Sequence, residues 1–198
     1  MGDHIVLIGS IMIGAMLLVS IVAFNSGLAF RGFDQTTDTM LHGELRLVSE
    51  VMLNDFRKIG FQVIPPSDGL KAISDTSIQF EGDIDGDGVP ETVDYYLGNE
   101  SSSPQTLNPY DRALYRRIDG GTEMTLSPGV TKFILTYFDG GGYETADPIS
   151  VDCIDIQLDI ASPSNHVDDK AYVFKNDSLR YYTCSWRTKV TPPNLLIE

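Results

Sequence analysis

The residues IVLIGSIMIGAMLLVSIVAF occupy positions 5–24 and form a run of twenty without a formal charge. About 20 apolar residues are enough for a helix to cross the hydrocarbon core of a bilayer. A helix is also one of the two structures that satisfy every backbone polar group there. Because no basic segment precedes the run and no small-residue cleavage site follows it, we expect it to be retained rather than removed as a secretory signal. The sequence therefore predicts a single-pass helix at residues 5–24.

Two further segments extend this helix toward residue 60. Residues 25–33 contain two glycines, and because glycine costs about 1 kcal/mol in a helix interior, we expect a flexible joint there. Residues 38–60 carry apolar side chains at helical spacing. These are Leu41, Leu45, Val48, Met52, Phe56 and Ile59. Residues 1–60 are thus predicted to form a transmembrane span followed by an amphipathic stalk.

Residues 61–198 have the pattern of strands and turns. Short stretches rich in β-branched and aromatic residues are separated by turns with Gly, Pro and Asp, which is typical of an antiparallel sheet. The stretches are residues 77–81, 92–97, 113–118, 132–138, 149–160 and 178–188. A helix followed by strands predicts an α+β fold in which the long N-terminal helix packs on the sheet. Residues 61–198 are numerous enough to form one head domain with its own core.

The composition excludes several functions. The chain has 28 acidic and 14 basic residues and a formal net charge of −14, which argues against binding of nucleic acid or of anionic lipid headgroups. The three histidines, His4, His42 and His166, have no neighbouring Ser or Cys in a recognisable nucleophile motif. We therefore expect neither an enzyme nor a small-molecule substrate.

The side of the membrane on which the head lies follows from charge and cysteine usage. Arg31 is the basic residue nearest the span and taken alone would favour an inward head. The acidic head favours the opposite orientation, so we expect it outside the cytoplasm, in the periplasm or the extracellular space. Cys153 and Cys184 could form a disulfide there, or both could be buried free thiols, and the sequence leaves these alternatives open.

Acidic residues at alternate positions mark one turn of the head, Asp83-Ile-Asp-Gly-Asp-Gly-Val-Pro-Glu91. The spacing matches the opening of a calcium-binding EF-hand loop, although strands rather than helices are predicted around it. Calcium prefers 6–8 oxygen ligands, and magnesium prefers a rigid octahedral site. The predicted ligands are Asp83, Asp85, Asp87, the Val89 carbonyl, Glu91 and Asp94. The sequence predicts one Ca²⁺ site, and the alternative is an ordinary Asp/Gly hairpin turn.

Several segments of the sequence follow one another in the same order as in a known protein family. They are residues 53–61 (LNDFRKIGF), 78–80 (IQF), 93–97 (VDYYL), 113–117 (ALYRR) and 129–139 (GVTKFILTYFD). With the apolar first helix, this order resembles the type IV pilins and the type II secretion pseudopilins, and most closely their large minor subunits of the J and W type. The chain departs from that family at its start, where only Met1 and Gly2 precede Asp3 and the apolar run contains no glutamate.

The resemblance implies a pilin-like fold and a structural role. The chain is expected to be a minor pilin or pseudopilin of a type IV pilus-like or type II secretion-like filament, acting in assembly initiation or at the tip. Its partners would be other pilin-like subunits, contacted through the N-terminal helix, and the inner membrane before assembly. The alternative is a calcium-dependent adhesin or binding module held by a single-pass anchor.

Overall fold

The computed structural model describes part of the chain. The described residues are 2–64, 69–99, 103, 106, 108–163 and 181–195. Contacts divide the chain into two units, Met1–Met40 and Leu41–Glu198, and each is described by itself. The division falls between Met40 and Leu41 rather than at the predicted boundary after residue 60, because the apolar stripe that begins at Leu41 is buried among the strands.

Helix α1 spans Gly2–Arg57. Residues 25–33, predicted to form a joint, are helical, and a β-carbon on Gly27 or Gly32 would contact nothing within 4 Å. Within Leu41–Glu198 the predicted stripe is confirmed, since each of its six apolar residues is at most 8% exposed. The turn after α1 includes Gly60 with φ of +75°, a conformation that favours glycine at a helix C-terminus.

Seven antiparallel strands form one sheet in the order β1-β2-β3-β4-β5-β6-β7. Their bounds are Leu70–Ser74, Ser77–Gly82, Glu91–Leu97, Arg112–Ile118, Met124–Phe138, Cys153–Ala161 and Thr183–Val190. A 3-10 turn lies at Pro148–Ser150. The sheet curls, so that the β1–β2 turn meets β5, where the Leu135 amide donates to the Asp75 carbonyl at 2.8 Å. The α+β layout is therefore confirmed.

The sheet differs from the sequence prediction at β1, at β5 and at the start of β6, which lies at Cys153 rather than at residue 149. Strand β1 was not predicted, and β5 begins at Met124 rather than near residue 132. The Ser127-Pro128-Gly129 segment, which lies between two of the predicted strands, is part of β5. Proline is tolerated there because the β4–β5 register is irregular between Arg112 and Tyr115. Residues 178–180 of the last predicted strand lie outside the described residues.

The core of Leu41–Glu198 lies between the helix and one face of the sheet. Phe56 of α1 makes edge-on contacts with Phe80 of β2 at 5.8 Å and with Tyr95 of β3 at 5.4 Å between ring centroids. Next to these rings the Tyr95 hydroxyl donates to Asp55 Oδ2 at 2.6 Å, and Arg116 Nε donates to the same oxygen at 2.7 Å. The buried Asp55 carboxylate thus joins helix α1 to strands β3 and β4.

Candidate metal centre and apolar surface

Four of the six predicted calcium ligands meet in the turn between β2 and β3. Asp83, Asp85, Asp87 and Glu91 each offer one carboxylate oxygen, and these oxygens all lie within 4.8 Å of one another. The hairpin brings them together because β2 ends at Gly82 and β3 begins at Glu91. Carboxylates so close repel one another unless a cation or hydrogen-bond donors compensate their charge.

Asp83 organises the turn from the inside. Its side chain is fully buried, and its two oxygens accept from the backbone amides of Gly86 at 2.6 Å and Gly88 at 3.0 Å. Both glycines have positive φ, at 85° and 94°, a conformation that other residues adopt only at a cost. The alternating Asp and Gly residues therefore fold the chain around the Asp83 carboxylate.

The other three carboxylates each accept one backbone amide. Asp85 Oδ1 accepts from Asp87 at 3.0 Å, Asp87 Oδ1 accepts from Val89 at 2.8 Å, and Glu91 Oε2 accepts from Ile84 at 2.8 Å. The two aspartate bonds are those of an ordinary Asx turn, whereas the Glu91 bond joins the two ends of the hairpin turn. Each of these carboxylates also keeps a second oxygen, so the same geometry can supply ligands to a hard cation.

The turn is attached to the end of helix α1. The Lys58 ammonium donates to the Ile84 carbonyl, and the Asp83 amide donates to the Phe61 carbonyl at 3.0 Å. The backbones approach so closely that a β-carbon on Gly82 would lie 2.2 Å from the Lys58 carbonyl oxygen. Sequence spacing did not indicate Lys58, because it lies 26 residues from its partner in the chain. An ion held in the turn would therefore also fix the end of α1.

The prediction that Asp94 is a ligand is wrong. Asp94 lies three residues into β3, about 10 Å along the strand from its first residue at 3.3 Å per residue. Its carboxylate instead accepts from Gln79 Nε2 at 2.6 Å and from Arg117 Nη2 at 2.9 Å. The Val89 amide contacts Asp87 as described, and the role of the Val89 carbonyl stays a prediction.

Of the two alternatives that the sequence left open for Cys153 and Cys184, the structure has the one without a disulfide. In the β6–β7 register Cys184 is opposite Ile160, whereas Cys153 begins β6 at its other end. Seven residues of strand separate the two positions, about 23 Å, and a disulfide needs α-carbons closer than about 7 Å.

Cys184 has a partner that the sequence did not indicate. Its sulfur lies 3.6 Å from Nδ1 and 3.7 Å from Nε2 of His42 on α1. Because Cys184 is buried, the thiol is poorly placed to attack a substrate. Of the other histidines, His4 lies in the first unit and His166 lies outside the described residues.

The apolar run at residues 5–24 is a helical surface exposed on all sides. Among the described residues, one helix is long and apolar enough to cross a membrane, and its most apolar window has no buried residue. Large side chains along it are more than half exposed, for example Ile5 at 71%, Met12 at 61% and Phe24 at 67%. So large an apolar surface requires lipid or protein around it.

No family model matches this chain. A search of curated proteins likewise found no significant relative.

Proposed function

We propose that this chain is a structural subunit, a minor pilin or pseudopilin of a type IV pilus-like or type II secretion-like filament. The observation that carries the proposal is the exposed apolar helix at residues 5–24 in a chain whose Leu41–Glu198 unit is an α+β head. The resemblance of residues 53–61, 78–80, 93–97, 113–117 and 129–139 to that family adds to it.

The physical basis of the proposal is that one surface serves in two environments. Before assembly, residues 5–24 lie in the bilayer as a single-pass anchor, with the acidic head outside the cytoplasm. During assembly the same side chains leave the lipid and become buried among the apolar helices of related subunits. Exposure to water would cost about 25 cal/mol per Å² of apolar area, so helix packing must replace the lipid contact as it is lost.

The hairpin turn adds a metal to this proposal. Asp83, Asp85, Asp87 and Glu91, with the Val89 carbonyl, bind one Ca²⁺ in the β2–β3 turn. Through the contacts of Lys58 and of the Asp83 amide, the ion stiffens both the turn and the end of α1. A stiff head surface suits a subunit that contacts its neighbours in a filament.

A second candidate is an anchored calcium-dependent binding module. The observation that favours it is the surface position of the turn, where Asp85 and Asp87 are exposed and Val89 is 62% exposed. In this case residues 5–24 would stay in lipid, and the head would act alone on a ligand.

Co-purification from native membranes distinguishes the two candidates. The full-length tagged chain is solubilised in mild detergent, and its partners and its N-terminus are identified by mass spectrometry. A filament subunit is recovered with other pilin-like subunits. A chain recovered without them, from cells that are assembling filaments, contradicts the filament proposal and favours the anchored module.

A further inference from the structure

A second group of acidic oxygens lies in the head, apart from the hairpin turn. Asp111 immediately precedes β4 and is 1% exposed. Its Oδ1 accepts from Asn108 Nδ2 at 2.7 Å. Its Oδ2 is buried and has no hydrogen-bond partner within the described structure. A buried carboxylate oxygen without a donor is costly, so we expect a proton or a cation to compensate it.

Glu44 on α1 supplies the second carboxylate. Its Oε1 is likewise buried and, among the residues that the structure describes, has no donor. Burial raises the pKa of Asp111 to about 6, the Thr106 hydroxyl offsets part of that rise, and the negative charge of Glu44 adds to it. The negative charges of the two carboxylates therefore repel each other across the boundary between helix and sheet.

A backbone carbonyl oxygen lies near the Asp111 carboxylate. A β-carbon on Gly129 of β5 would lie 2.9 Å from the Ala161 carbonyl oxygen and 3.9 Å from Asp111 Oδ2. Real β-carbons essentially never lie under 3.0 Å from such an atom. Gly129 therefore lets the Ala161 carbonyl oxygen and Asp111 Oδ2 both approach the point where a larger residue would place its β-carbon.

We propose that Asp111 Oδ2, Glu44 Oε1 and the Ala161 carbonyl are ligands of a second Ca²⁺, bound between helix α1 and the sheet. The donor set consists of oxygens alone and includes two carboxylates that neutralise a divalent ion, as hard cations require. The ion would join the start of the buried helical stripe, at Leu41 and Leu45, to strands β4 and β6. The hairpin ion joins the opposite end of that stripe to β2 and β3. The second site does not depend on the filament proposal.

Calcium stoichiometry tests the second site in the full-length chain. The detergent-solubilised, chelator-treated protein is dialysed against ⁴⁵Ca²⁺ at about 1 mM, the upper range for extracellular sites. The double variant Asp85→Asn, Asp87→Asn removes the hairpin site, and it should still bind one ion per chain. Adding Asp111→Asn should reduce binding to none.

A second measurement keeps the result interpretable if a variant folds poorly. Each variant is checked by circular dichroism in chelator, and Glu44→Gln replaces any Asp111→Asn protein that does not fold. A folded hairpin variant that binds no calcium overturns the second site and indicates that protons compensate the two carboxylates. Binding that survives both Asp111→Asn and Glu44→Gln overturns it as well. Filament assembly is measured separately, so failure of this site leaves that proposal unaffected.

Discussion

The two units of the chain use apolar residues in opposite ways. Along residues 5–24 the large side chains are mostly exposed, whereas the six apolar residues of the 41–59 stripe are at most 8% exposed. Residues 5–24 and 41–57 are helical, and both segments are rich in Leu, Ile, Val and Met. The strands of its own chain cover the stripe, whereas the described structure provides no cover for residues 5–24. The first segment therefore requires another environment, and the second completes the head.

Polar residues add to this contrast. The 41–59 segment is attached to the sheet by Asp55, whose carboxylate accepts from Tyr95 and Arg116. Burial and the Asp55 charge raise the pKa of Tyr95 well above 10, so its hydroxyl stays a donor at any physiological pH. Residues 5–24 carry no charged side chain. They suit a surface that exchanges one apolar environment for another.

The largest expected effect is a difference in the free energy of unfolding between alanine variants of two phenylalanines. Phe56→Ala should lower the free energy of unfolding of the head by about 3–5 kcal/mol, because a fully buried ring leaves a cavity. The matched control, Phe24→Ala, removes a ring that is 67% exposed and should leave the head unchanged. Chemical denaturation in detergent, followed by near-UV circular dichroism, measures both. Equal destabilisation by the two variants would contradict the contrast.

The next effect concerns the polar attachment of the helix. Tyr95→Phe removes one hydrogen bond to the buried Asp55 carboxylate and should lower the free energy of unfolding by about 1.5–3 kcal/mol. Tyr115→Phe, on the partly exposed side of the neighbouring strand, is the control and should cost much less. A Tyr95→Phe protein as stable as the wild type would show that Arg116 alone satisfies Asp55.

Calcium should stabilise the head by an amount that depends on concentration. At ten times the dissociation constant, one site contributes about 1.4 kcal/mol. Asp85→Asn with Asp87→Asn should remove the contribution of the hairpin site and leave stability in chelator nearly unchanged. Asp75→Asn, at an exposed turn between β1 and β2, is the matched control. A melting shift of equal size in calcium and in chelator would refute the hairpin ion.

The smallest effect depends on pH. Hydrogen bonds from Arg187, which lies 2.5 Å from Asp155 Oδ2, hold the pKa of that carboxyl below its usual 3.8. The pair therefore stabilises the head above pH 3.8, and this stability is lost as the pH falls through the lowered pKa. The difference in unfolding free energy between wild type and Arg187→Gln should shrink below pH 3.8. A difference that is the same at pH 3 and pH 7 would contradict the pairing.

Sequence periodicity was sufficient for the elements whose side chains alternate regularly. The stripe from Leu41 to Ile59 and most strands were predicted because burial imposes a repeat of 3.6 or 2 residues. The turn ligands Asp83 to Glu91 were predicted because they are local in the chain. The prediction that Asp94 is a ligand was wrong because the position of Asp94 depends on where β3 begins. The hairpin decides this, and the spacing of the acidic residues does not.

The remaining features depend on pairings between distant parts of the chain. Whether Cys153 and Cys184 meet is decided by the β6–β7 register, which no local pattern specifies. The first half of β5 was not predicted, because Pro128 indicates a turn unless the neighbouring strand is irregular. The proximity of Glu44 to Asp111 arises only when the helix packs on the sheet, so composition and spacing did not reveal it.

Site-specific photo-crosslinking tests the central proposal most directly. A photoreactive amino acid replaces Leu17, which is 59% exposed, or Leu45, which is 8% exposed, in the native cell. In sheared filaments, the protein labelled at position 17 should crosslink to the apolar helices of other pilin-like subunits. The protein labelled at position 45 should crosslink only within its own head. If position 17 crosslinks to lipid alone in cells that assemble filaments, the chain is an anchored module and not a filament subunit.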